Sequence, residues 1–209
     1  MKLVSLLSSG IDSPVATYLL SKKAEDIIFV HGNNQPFSDK KEYENFLKLT
    51  KHLKKIIKPD VKTYVLSHGK NLDEYIKNCD KKFTCIFCKR MLLRYAEKIS
   101  KINGFDGIVM GDSLGQVASQ TLQNIKVIDQ AVSIPIFRPL IGFDKQEIVS
   151  IAKKIGTYDS SILPSTGCTA VPYKPSTAAR IEKIISEEKK LDIEKLVNQT
   201  VKNSNIIKI

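Results

Sequence analysis

The stretch that decides the fold is MKLVSLLSSGIDSPVATYLLSKK, residues 1–23. An apolar run, LVSLL, ends abruptly in two serines, a glycine, an aspartate and a third serine, and a helix-like pattern opens at Pro14. A turn alone needs only Gly, Asn or Asp. A small, hydroxyl-rich loop between strand and helix presents backbone N–H groups and serine hydroxyls to an anion, and the helix N-terminus adds partial positive charge. That is a phosphate cradle. It is not a Walker A loop, because G-x-x-x-x-G-K-[ST] is missing. Asp12 is the odd member, since a carboxylate repels phosphate unless Mg²⁺ lies between them. Cradle plus acid fits an ATP site from which pyrophosphate leaves with magnesium. A simpler reading of the same residues is a capped helix after a turn, with Ser13 as N-cap.

Working outward, strand patterns follow at residues 3–7, 26–31, 62–66, 107–110 and 132–136. Between and after them lie helix patterns at 14–23, 40–58, 89–101 and 144–155. This alternation predicts an α/β fold, a parallel sheet with helices on both faces. Ligands of such sheets bind at the carboxyl ends of the strands, near a switch in strand order. Three polar loops therefore belong on one rim: 8–13, 31–37 and 111–116. The chain divides into a main domain, 1–175, and a C-terminal helical extension, 176–209, with helices expected at 177–189 and 193–202.

The 209 residues contain 42% hydrophobic side chains, enough for a real core, and no apolar run of the roughly 20 residues a membrane helix needs. With no secretory signal pattern at the N-terminus, the expectation is a soluble, cytoplasmic protein with no membrane partner. The formal net charge is +11. The segments 40–58 and 77–101 carry much of it, and the second surrounds a cysteine pair, which points to a polyanion such as nucleic acid. A Lys-rich solvated surface is the plainer alternative. The four cysteines are Cys79, Cys85, Cys88 and Cys168. Cys85-Ile-Phe-Cys88 has the C-x-x-C spacing common to metal, iron–sulfur and redox sites.

The loop SSGIDS resembles the pyrophosphate-binding PP-loop, S-G-G-x-D-S, of the N-type ATP pyrophosphatases, whose fold is adenine nucleotide alpha hydrolase-like. IDSPVA, VHGNNQPFS, GDSLGQVASQTLQNI and FRPLIGFDKQEIVSIAKKIGTYD follow in the same order as in the tRNA 4-thiouridine synthetases, the ThiI family, in its archaeal iron–sulfur type. This resemblance implies that Ser8, Ser9, Gly10, Asp12 and Ser13 hold the ATP phosphates, Asp12 through Mg²⁺. It also implies that His31, Gly32 and Gly111 border the adenosine. Lys145 falls on a family lysine implicated in catalysis, and is otherwise an exposed first-turn helix lysine. Cys168 falls on the family cysteine that handles sulfur. Ser9 stands where the family has its first glycine, so its backbone is expected to avoid positive φ.

The implied activity is an ATP-dependent sulfurtransferase: ATP adenylates a carbonyl oxygen and a sulfur nucleophile displaces AMP, with tRNA uridine as acceptor. A small-molecule acceptor, or a non-catalytic iron–sulfur or nucleic-acid-binding module, are the alternatives. With the strand that leads into the PP-loop so near residue 1, the expectation is a catalytic domain without the family's THUMP and rhodanese domains. Sulfur is then expected at a 4Fe–4S cluster on Cys85, Cys88 and Cys168. A Cys168 persulfide, or a zinc site completed by Cys79, are other uses of the same thiols. A sulfur-donor or RNA-binding partner protein, or a homodimer, would supply what the domain lacks. Lys89, Arg90 and Arg94 would either hold substrate phosphates or face solvent.

Overall fold

The computed structural model describes residues 1–208. The strands are β1 (Lys2–Leu6), β2 (Asp26–Asn33), β3 (Thr63–Ser67), β4 (Gly107–Val109), β5 (Ile136–Phe137) and β6 (Asn205–Ile207). The helices are α1 (Asp12–Ser21), α2 (Lys40–Ile56), α3 (His68–Asn78), α4 (Thr84–Asn103), α5 (Leu122–Asp129), α6 (Lys145–Lys154), α7 (Tyr158–Ser161), α8 (Ile181–Glu188) and α9 (Ile193–Lys202). The sheet order is β5-β4-β1-β2-β3-β6, parallel except for β6, which runs antiparallel to β3.

Period-two alternation explains why both faces are covered. In β2, Ile27 and Phe29 join one apolar cluster with Leu49 and Leu53 of α2, Val15 of α1 and Ile148 of α6. Ile28 and Val30 face the other, with Tyr75 of α3, Met91 and Leu93 of α4, Ile128 of α5 and Val201 of α9. All of these are buried. Among the described residues, no helix is long and apolar enough to cross a membrane.

The chain runs β1, β2, β3 in one direction and then returns so that β4 pairs with the other side of β1. That switch opens a crevice between the ends of β1 and β4. The loop 7–11 leaves β1 there, and Gly111 follows β4. A Cβ on Gly111 would lie 2.7 Å from both Cα and N of Ser13, so only glycine lets the two segments meet.

Some boundaries differ from those the sequence predicts. The fifth strand is Ile136–Phe137 instead of 132–136, because Glu97 accepts the backbone N–H groups of Ser133 and Ile134, and Pro135 has none. The helix predicted at 89–101 starts at Thr84 and takes the C-x-x-C pair into its first turns. The one predicted at 177–189 starts at Ile181, because the segment before it is tied to α5: Asn124 bonds Ser176 and Ala179, and Thr121 bonds Thr177. Residues beyond 176 also supply β6, an edge strand.

Candidate active site

The turn after β1 is built from its own serines. The Ser13 hydroxyl accepts the Ser8 backbone N–H at 2.8 Å and lies 2.9 Å from the Ser8 hydroxyl. Ser13 is therefore not the N-cap expected from the sequence. Ile11 occupies that position without a side-chain cap, and the Ser13 side chain turns back to close the loop. No described non-glycine residue has positive φ, so Ser9 fits the glycine position without backbone strain. Its hydroxyl donates to Glu42 of α2 at 2.9 Å.

A cavity of about 400 Å³ opens above this turn. Ser8, Gly10, Asp12 and Ser13 line it from the loop, His31 and Gly32 from β2, and Gly111 from the end of β4. Every sequence-predicted nucleotide residue except Ser9 thus reaches one space. Glu42, which holds Ser9, lines it as well. Sequence reading missed Glu42 because a first-turn helix carboxylate is ordinary. Burial raises its carboxyl pKa, partly offset by the Ser9 hydrogen bond, and its Oε2 is buried without a partner.

His31 stacks on Phe46 with ring centroids 3.7 Å apart, and its Nδ1 lies 3.0 Å from the Leu7 carbonyl oxygen. A carbonyl only accepts, so Nδ1 carries the hydrogen and the buried, unpartnered Nε2 is an acceptor. Burial holds the ring neutral, its pKa lowered to about 4 against the weaker opposing pull of the Leu7 carbonyl. Opposite, Lys145 opens α6 and its Nζ meets Asp12 Oδ1 at 2.5 Å. The pair is partly exposed, at 49% and 24% of the side chains.

A family model described as Thiamine biosynthesis protein (ThiI) matches residues 1–193. The chain belongs to the ThiI family. It is 44% identical to the probable tRNA sulfurtransferase of Methanosarcina mazei over 209 residues, all of this chain and 52% of that protein. Against the probable tRNA sulfurtransferase of Finegoldia magna the identity is 40%, over 98% of this chain and 52% of that one. A 4-thiouridine synthetase solved as an RNA complex with bound ATP superposes with a TM-score of 0.92 at 33% identity. The match covers 99% of this chain and 54% of that one. NMN synthetase from Francisella tularensis, at 12% identity and a TM-score of 0.57, shares the fold. The chain spans about half the length of the curated relatives it matches.

The thiols of this ThiI-family chain fall into two groups. Cys85 and Cys88 sit one turn apart on α4, and Cys168 lies in the irregular segment after α7. Burial raises all three thiol pKa values, and Cys168 raises those of Cys85 and Cys88 further, so the three lie within electrostatic reach. The Cys168 loop is pinned to the β2–α2 connection: Phe37 O accepts from Thr169 N at 2.7 Å and from its hydroxyl at 3.0 Å. Among the described residues no three His, Cys, Asp or Glu side chains enclose a single ion. Three thiols, two of them on α4 and both feeling Cys168, have the donor chemistry of a thiolate-held cluster. Cys79 stands apart, its thiol donating to the Glu187 carbonyl oxygen at the end of α8.

The basic residues after the pair are each held by carboxylates, Arg90 and Arg94 away from the cavity and Lys89 on its wall. Arg90 and Arg94 both clamp the buried Glu188 at 2.7–2.9 Å, and Arg90 also reaches the Val127 carbonyl. Lys89 pairs with Asp112 at 2.6 Å, which Arg138 also holds at 3.0 Å. Burial alone would raise the Asp112 pKa, but Lys89 and Arg138 lower it below the usual carboxylate range. These charges fix α4 against its neighbours.

Proposed function

We propose that this chain is the catalytic part of an ATP-dependent sulfurtransferase that replaces a carbonyl oxygen of a tRNA uridine with sulfur, as in 4-thiouridine. The observation that carries the reading is the convergence on one cavity of the serine loop, Asp12, the lone acceptor of His31 and the glycine contact at residue 111, with Lys145 paired to Asp12 beside it. Sequence similarity to probable tRNA sulfurtransferases and the fold shared with an ATP- and RNA-bound 4-thiouridine synthetase support it.

In this reading Ser8, Gly10 and Ser13, which line the cavity, cradle the ATP phosphates at the start of α1, and Ser9 braces the loop through Glu42. Asp12 is the ligand for Mg²⁺, which neutralises phosphate charge when bound. Lys145, already beside Asp12, faces the charge that grows on the α-phosphate as the uridine O4 attacks it and pyrophosphate leaves. The His31 Nε2 acceptor suits the adenine 6-amino group. Sulfur then attacks C4 and AMP departs. Cys85, Cys88 and Cys168 are the thiolates that would hold a 4Fe–4S cluster, whose remaining iron supplies a site for a sulfur nucleophile. The setting is cytoplasmic, and an RNA-binding partner, a sulfur donor or a second copy completes the assembly.

The test is thiolation of unmodified tRNA by anaerobically prepared protein with ATP and sulfide, followed by pyrophosphate release and sulfur incorporation. Both are expected, and only with ATP. ATP turnover indifferent to tRNA would move the acceptor to a small molecule. RNA binding without turnover would make the chain a binding module.

A further inference from the structure

A chain of buried polar groups ends on the Cys88 thiol. His68, the first residue of α3, is fully buried, as is Tyr95 of α4, and Asn71 is 4% exposed. The Asn71 amide nitrogen donates to the Tyr95 hydroxyl oxygen and to the Thr200 hydroxyl of α9. The Tyr95 oxygen lies 3.2 Å from His68 Nδ1, and His68 Nε2 lies 3.2 Å from Cys88 Sγ.

The directions of these bonds follow from the inventory of donors. An amide NH₂ cannot accept, so Tyr95 accepts from Asn71 and its own hydrogen is left for His68. His68 Nδ1 is then the acceptor, and the ring hydrogen sits on Nε2, aimed at sulfur. Four elements contribute: α3, α4 and α9 carry the chain, and the 34–36 turn closes it. A Cβ on Gly69 would lie 2.0 Å from the Gln35 carbonyl oxygen, so His68 is seated directly against that turn. The same turn bears Asn34, whose side chain lowers the Cys168 thiol pKa against the larger upward push of burial.

We propose that His68 is a positioning residue of the sulfur site, locked by Tyr95 and Asn71 in the Nε2–H tautomer so that it donates a hydrogen bond to Cys88 Sγ. This rests on the reading of Cys88 as a thiolate ligand. Such a donor orients the sulfur and disperses its negative charge without competing as a ligand. For a bound cluster, N–H···S bonds raise the reduction potential. Among the described residues Cys85 has no such partner, so the two thiolates of the C-x-x-C pair are electronically unequal.

Ring-nitrogen NMR shifts of His68 in the metal-free protein, assigned with His68→Phe, test the bond independently of any cluster. Nε2–H is expected in the native chain, with Tyr95→Phe shifting the population towards Nδ1–H. A native Nδ1–H ring overturns the proposal, because Cys88 would then be the donor. In anaerobically reconstituted protein, His68→Phe is expected to lower the midpoint potential and His68→Gln, which restores an N–H, to recover it. A cluster with unchanged potential in His68→Phe also overturns the proposal. If the native chain takes up no iron and sulfide, the cluster reading fails, and the tautomer measurement still decides whether His68 donates to Cys88.

Discussion

Asp12 and Lys145 are 133 residues apart in sequence and touch in the fold. Exposed pairs of this kind contribute about 0–1 kcal/mol to stability. Asp12→Ala should therefore leave the urea midpoint nearly unchanged while abolishing thiolation, and an active variant would remove Asp12 from the chemistry. Cys168→Ala should likewise fold and lose sulfur incorporation, measured on the same tRNA. His31 gives a pH signature. Its folded pKa of about 4 lies below the ordinary 6.5, so the unfolded chain binds the proton more readily. The stability it lends is present above pH 6.5 and is lost as pH falls towards 4. Between pH 7.5 and 5 that loss is about 2 kcal/mol. His31→Phe should flatten the denaturation profile by that amount and weaken ATP binding about tenfold, the worth of one hydrogen bond. A profile as steep as the native one would contradict the assignment.

At the scale of elements, the contact between the ends of β1 and β4 is the most sensitive. Gly111→Ala must displace the Ser13 backbone, and is expected to lose nucleotide affinity in calorimetry before it loses helical signal. The clamp of α4 on α8 behaves oppositely. Glu188→Gln leaves Arg90 and Arg94 facing a neutral group and should destabilise the chain by about 3 kcal/mol in urea, with the salt dependence of tRNA binding unaltered. A change in salt dependence would return these arginines to the RNA surface. This clamp was illegible in the sequence, where KR and R four residues on look like any basic helix face. β1, α1, β2 and α2 were legible because apolar alternation and helical period are strong there. α3 was not: HGKNLDEYIKN buries His68 and Asn71 alongside Leu72 and Tyr75, so its inner face reads as polar. β6 was missed because three residues carry no period, and the strand forms only by pairing with β3. The residues proposed for the nucleotide are named by motif order, while Glu42 and His68 carry no sequence mark and appear only when the loops close around them.

For the whole molecule, the charge of +11 predicts that tRNA affinity falls linearly with salt on logarithmic axes, by about 0.9 per phosphate contacted. Filter binding across salt concentrations checks this, and a flat response would remove the electrostatic case for RNA. The sheet has a consequence for assembly. Its described edges are β5, two residues long, and β6, three. Strands this short offer almost no unpaired backbone to a neighbouring chain. The described edges therefore give a second copy little backbone to extend, and side chains on helices and loops offer the larger surface for contact, where specificity can be altered one residue at a time.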